Sequence, residues 1–268
     1  MKERVQVACG QMQPEFGETT ANLERIGRMV EGAGADIMIF PELVTSGYEF
    51  RDRRELRKLA IDLGGGEEIS RLKSLAGDTG THIVLGLPER SGRMLFNSAV
   101  LIEPSGRVTV YRKLHLFDRE KKLFDPGESE PPVVETPVGR LGLMVCFDWI
   151  FPEVARLLAL KGAQVILHPS NLVLQYCQRA MFARSVENGV FTVTCNRVGS
   201  ESRTGRTLTF TGASQILSPR GQILAQAGNA GEEIISAEIN PTDADDKMIT
   251  ATNHILKDRR TEFYPKLI

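Results

Sequence analysis

Short apolar runs alternate with stretches of helical period along most of this chain, and that rhythm restricts it to an α/β architecture. Val5 to Cys9 reads as a strand, Thr19/Thr20 as the cap of an amphipathic helix over Asn22 to Glu31, and Asp36 to Phe40 as a short buried strand. Arg51 to Ala60 and Glu67 to Gly80 have helical character around the turn Gly64-Gly65-Gly66, and His82 to Leu87 returns to strand. Ser98 to Ile102 and Val108 to Tyr111, joined by Pro104-Ser105-Gly106-Arg107, form a hairpin, so the sheet structure is partly antiparallel. Lys113 to Glu130 is polar and reads as mostly irregular.

The second part repeats the rhythm. Val133-Val134, Leu141 to Val145, Gln164 to Leu167 and Val190 to Cys195 are strands, with helices over Phe151 to Leu160 and Tyr176 to Glu187. Thr211 to Leu217, Gln222 to Ala225 and Glu233 to Ile239 are hairpin-like strands, and Pro241 to Ile268 is a charged tail for the surface or a partner subunit. No low-complexity linker divides the 268 residues, a length that an α/β fold can use as one domain with ample core.

Charge removes several function classes. With 33 basic and 34 acidic residues, the net charge of -1 offers no field for nucleic acid or an anionic membrane surface. Cys9, Cys146, Cys177 and Cys195 form no CxxC pair, which indicates neither a disulfide framework nor a zinc knuckle and suits a reducing cytoplasm. No apolar run approaches the roughly 20 residues that span a bilayer, and no signal segment precedes the first strand. The expectation is a cytoplasmic protein without a membrane partner. A metal site lacks HExxH or paired-cysteine spacing, and the three glycines lack the GK[ST] ending of a phosphate loop, so no cofactor is expected.

Three stretches carry candidate chemistry. In Leu141-Gly142-Leu143-Met144-Val145-Cys146-Phe147-Asp148-Trp149, a cysteine stands where a buried run gives way to a helix start that has Pro152 and Glu153 in its first turn. A sulfur at such an elbow is held out of the core, with backbone N–H groups aimed at whatever it attacks. Glu42 in Phe40-Pro41-Glu42-Leu43 directly follows a buried strand, where a carboxylate is usable as a base. Lys113 in Tyr111-Arg112-Lys113-Leu114-His115-Leu116-Phe117 likewise follows a strand. Taken singly, each has an ordinary reading: free cysteine often serves as a small hydrophobe, and strand-end charges are usually solvated. All three lie just past the carboxyl ends of strands, where open α/β sheets assemble sites.

The order FPEL, YRKLHLF and CFDWIFPE resembles the nitrilase superfamily of carbon–nitrogen hydrolases, whose catalytic set is Glu, Lys and Cys in that order. The resemblance extends over nearly the whole chain, through Asn97-Ser98-Ala99, Phe124-Asp125-Pro126-Gly127, His168-Pro169-Ser170-Asn171, Arg184 to Asn188 and Asn196 to Gly199. It implies a four-layer α-β-β-α sandwich, and a homodimer or higher homo-oligomer in which the C-terminal tail joins subunit contacts. It also implies that Glu120, in Arg119-Glu120-Lys121-Lys122, matches a second glutamate that holds the substrate amide or attacking water; a solvated neighbour of Lys121 and Lys122 is the alternative.

The residue types fit that chemistry in their own right. Cys146 would attack an amide carbon and form a thioester. Glu42 would take the thiol proton, give it to departing ammonia and then activate water, while Lys113 and the backbone N–H of Phe147 would hold the oxyanion. A Cys–His pair using His115 or His168 is a thinner alternative. Tyr48, Trp149 and Asn171 are candidate substrate-binding residues with mostly apolar walls, which suits a small aliphatic or weakly polar substrate. The leading expectation is a small amide with water as co-substrate. Nitrile hydrolysis, N-carbamoyl hydrolysis, acyl transfer from the same thioester and a non-catalytic dimeric scaffold are the alternatives.

Overall fold

The computed structural model describes residues 2–264. Its first half contains β1 (Val5–Gln11), α1 (Thr19–Ala33), β2 (Ile37–Ile39), α2 (Arg53–Leu59), α3 (Glu67–Thr79), β3 (His82–Ser91), β4 (Met94–Ile102), β5 (Val108–Arg112) and the short α4 (Glu120–Leu123). The second half adds β6 (Val133–Thr136), β7 (Gly139–Leu143), a 3-10 helix (Cys146–Ile150), α5 (Pro152–Leu160), β8 (Val165–Ser170), α6 (Cys177–Asn188) and β9 (Phe191–Asn196). The strands β10 (Ser200–Glu201), β11 (Leu208–Thr209), β12 (Gln215–Leu217), β13 (Ile223–Gln226) and β14 (Glu233–Ile239) complete it.

Two six-stranded sheets result, ordered β14-β1-β2-β3-β4-β5 and β13-β12-β9-β8-β7-β6. At the centre of the first, β1, β2 and β3 run parallel; at the centre of the second, β7, β8 and β9 do. Antiparallel strands flank both trios. Strand alternation produces the layers. Val5, Val7 and Cys9 of β1 join Leu141, Leu143, Val165, Leu167 and Val193 in the core between the sheets, whereas Ala8 faces the other way, toward Ile26 and Val30 of α1 and Leu72 and Ala76 of α3. On the far side, Leu158 of α5 packs against Gly142 of β7. The arrangement is the expected α-β-β-α sandwich.

Local differences from the sequence expectations have tertiary causes. The Thr19/Thr20 cap is not formed: α1 begins at Thr19 with Glu18 before it and no side-chain cap. Asn22 instead ties the helix start down, bonding Glu15 through both backbone groups and the Thr45 carbonyl. The Cys146 elbow opens into a 3-10 turn before α5, and the Lys113 to Glu130 segment contains α4. Of the strand expected over Thr211 to Leu217 only Gln215–Leu217 is ladder, because Thr211 and Gly212 bond Leu172 and Arg197. From Pro241 a short 3-10 helix (Pro241–Ala244) still buries Pro241 and Ala244. The chain then runs over the surface and is pinned by Lys247, whose ammonium donates to the carbonyls of Asn188 and Gly189 at the end of α6; the tail's last residues, 265–268, lie outside the described residues. Among the described residues, no helix is long and apolar enough to cross a membrane.

Candidate active site

Glu42 sits in a tight turn just beyond β2. Pro41 accepts from the Gly86 N–H and Val44 donates to the Gly86 carbonyl, so the turn lies directly on β3. A Cβ at Gly86 would stand 2.4 Å from the Glu42 Cα, so only glycine permits this approach. The Glu42 carboxylate is fully buried, and its Oε1 accepts from Asn97 Nδ2 and Lys113 Nζ, each at 2.7 Å. Its Oε2 is buried with no protein partner.

Lys113 follows β5 and is anchored by its own backbone, its N–H donating to Asn97 and its carbonyl accepting from Gly127. The fully buried ammonium spends its donors on Glu42 and on both oxygens of Glu120, at 3.0 and 2.8 Å. Burial alone would pull its pKa down, but the charges of Glu120 and Glu42 outweigh it and hold the group above its ordinary value. Glu120 is drawn inward by α4: its carboxylate also accepts from Tyr48 Oη at 2.7 Å and from the Phe117 N–H at 3.1 Å. Burial pushes the Glu120 carboxyl up, opposed by Lys113. The solvated reading of Glu120 is therefore wrong.

Cys146 comes from the opposite sheet, past β7, with φ at +39°, a left-handed conformation costly for a residue with a side chain. Two partners hold that turn. His168 Nε2 donates to the Cys146 carbonyl at 2.9 Å, while Asp148 accepts from the Val145 N–H and from Tyr111 Oη at 2.9 and 2.8 Å. Burial, then the charge of Glu42, push the thiol well up; Lys113 and the Asn171 N–H act the other way. Neither histidine pairs with the thiol: His168 is engaged by the carbonyl and by Thr194 Oγ1, and His115 by Asp148 at 2.7 Å.

A model of the carbon–nitrogen hydrolase family matches residues 6–246. The chain belongs to the carbon–nitrogen hydrolase family. A protein of Pyrococcus abyssi named nitrilase is 44% identical over 263 residues, covering 97% of this chain and 99% of its own. The structure of a carbon–nitrogen hydrolase from Helicobacter pylori G27 superposes with a TM-score of 0.88 at 27% identity, covering 99% of this chain and 98% of that one. A glutamate variant of the amidase from Nesterenkonia sp. AN1, captured with the acetamide moiety of fluoroacetamide on its active-site cysteine, gives a TM-score of 0.80 at 27% identity over 98% of this chain and 97% of that chain. The reaction class of this family member is carbon–nitrogen hydrolysis through a cysteine-bound intermediate.

The remaining candidates in this carbon–nitrogen hydrolase fall into two groups. Tyr48 joins the buried carboxylates through Glu120, and Asn171 stands one residue past β8 on the sheet that carries Cys146. Phe147 packs on Phe117 and Phe151 with ring centroids 4.9 and 5.6 Å away, while Trp149 is buried with its ring edge-on to exposed Tyr176. Asn97 and Asp148 were not singled out from sequence as site residues, and His168 was weighed only as a partner for the thiol, although each lies inside a motif segment. Their roles depend on which neighbour strand they meet, and sequence spacing does not give that.

Proposed function

We propose that this carbon–nitrogen hydrolase is an amidase acting on small amides, with Cys146 as nucleophile, Glu42 as general base and acid, and Lys113 as oxyanion stabiliser. The observation that supports amide over nitrile is Glu120, buried against Lys113 and Tyr48, because a second fixed carboxylate suits holding an N–H-bearing substrate or an attacking water. Glu42 Oε1 is held by Asn97 and Lys113, which leaves Oε2 to take the thiol proton as sulfur attacks the carbonyl carbon. The oxyanion is held by the Lys113 ammonium and the Phe147 N–H, and the base returns its proton to the nitrogen as the C–N bond breaks and ammonia leaves. Water then attacks the thioester with Glu42 again accepting a proton, and the carboxylic acid departs as the thiol re-forms. Tyr48, Phe147, Trp149 and Asn171 line the substrate.

Nitrile hydrolysis is the second reading, favoured by the Pyrococcus abyssi nitrilase at 44% identity. We further propose that the chain works as one domain and as a cytoplasmic homodimer. Ile150, Leu160, Tyr176 and Phe182, on the 3-10 helix, α5, and α6 with the residue before it, are four of the nine large apolar side chains exposed among the described residues, which supports a subunit contact there. The test is ammonia release from matched amides, nitriles and N-carbamoyl compounds. Turnover of amides with inert nitriles is expected; nitriles converted to acid faster than amides would overturn the amide assignment.

A further inference from the structure

Of the buried polar atoms without a protein partner, those of Glu42, Asn171 and Arg197 belong to residues just past strand ends. Asn171 is the only residue among them with both side-chain atoms, Nδ2 and Oδ1, left unpaired, and it is 4% exposed. An amide left in that condition costs of the order of 1–3 kcal/mol, so such a group is retained where something else satisfies it. Arg197 is its neighbour. β8 and β9 are parallel and in register up to Ser170 opposite Asn196, and one residue further on stand Asn171 and Arg197, where the Arg197 N–H donates to the Ser170 carbonyl. The Arg197 guanidinium is fully buried and lies 4.1 Å above the Phe210 ring, close enough to the site for Glu42 and Tyr48 to act on its charge. It donates to Glu201 through Nη1 at 2.7 Å, while Nε and Nη2 are unpaired. Those two atoms form the edge of the guanidinium that makes paired hydrogen bonds to a planar oxygen-bearing group.

We propose that Asn171 and Arg197 form a subsite for a second, uncharged carboxamide on the acyl side of the substrate. This rests on amide hydrolysis at Cys146. When the leaving group is ammonia, everything else in the substrate belongs to the acyl half, and so a group met by Asn171 must be carried there. Asn171 offers a donor group and an acceptor, which a carboxamide answers with an acceptor and a donor; a carboxylate answers the donors of Asn171 and Arg197 but leaves the Asn171 acceptor unmet. Charge points the same way. Near the site the buried ionic groups are Lys113 and Arg197 against Glu42, Glu120, Asp148 and Glu201, so buried carboxylates outnumber buried cations there. A further carboxylate would be repelled, and a neutral amide would not. The subsite replaces the expectation of mostly apolar walls with a polar one at Asn171 and Arg197.

Three probes of matched length separate the possibilities: butyramide, succinamide and succinamate. Binding is measured calorimetrically to the Cys146→Ala protein, so that it does not depend on turnover. Succinamide is expected to bind at least tenfold more tightly than butyramide and than succinamate. In the otherwise native enzyme, Asn171→Leu is expected to lower kcat/KM for succinamide at least tenfold more than for butyramide. Equal binding of succinamide and butyramide overturns the subsite, and tighter binding of succinamate overturns its neutral character. If succinamide binds selectively but no amide releases ammonia from the native enzyme, the subsite stands and the amidase assignment falls.

Discussion

Three ammonium donors on Lys113 meet the oxygens of two carboxylates, so neither Glu42 nor Glu120 turns its Lys113-facing oxygens to solvent, and only Glu42 Oε2 remains free to move a proton. Glu42→Gln preserves shape and most hydrogen bonds while removing the base. Its kcat/KM is expected to drop at least 100-fold with little change in melting temperature, and near-native rates would refute the base assignment. Cys146→Ala is expected to release no ammonia and to keep the native circular dichroism. His168 gives a pH prediction. Burial lowers its pKa from 6.5 to about 4, so between those values the unfolded chain binds a proton that the native state does not. Stability therefore falls as pH drops through this window, by about 3 kcal/mol from this residue once pH is below 4. Urea unfolding at pH 6.5 and pH 4 is expected to show a smaller difference in His168→Gln than in the parent; equal differences would mean His168 is not the buried neutral group.

At the scale of elements, the recurring device is a site residue one or three positions past a strand: Lys113 after β5 and Asn171 after β8 at one, Glu42 after β2 and Cys146 after β7 at three. That much was legible, because buried apolar runs mark strands and the residues that follow them are few. What was not legible depended on contacts between distant segments. α4 is four residues long and has no periodicity to read; Glu120 ties it to Lys113 and to the Phe117 N–H. The β10–β11 hairpin has two-residue strands and is held by Arg203 on Glu55 and by Arg206 on the buried Glu49, partners about 150 residues away in sequence. The strand turn at Glu42 has a prediction of its own. Gly86→Ala forces a methyl group onto the Glu42 backbone and is expected to destabilise by about 2 kcal/mol or more while lowering kcat by a larger factor than the same loss of stability elsewhere. An unaltered kcat would show that the close approach does not set the position of the base.

For the molecule as a whole, the proposed subunit contact is open to direct measurement. Paired substitutions Ile150→Glu and Leu160→Glu place charges on the exposed apolar surface of the 3-10 helix and α5. Sedimentation is expected to shift from dimer to monomer; an unchanged mass would move the interface elsewhere. The division of the site between sheets has another consequence. Glu42, Lys113 and Glu120 belong to the sheet of β1 to β5, whereas Cys146, Asn171 and Arg197 belong to the sheet of β7 to β9. No reactive pair of base and nucleophile exists in either sheet alone. A molten form that kept both sheets but loosened their packing would retain its far-ultraviolet spectrum and lose all turnover. Catalysis in this fold is thus a report on how tightly its two halves are clasped, and any pressure to keep the activity acts directly on the core between them.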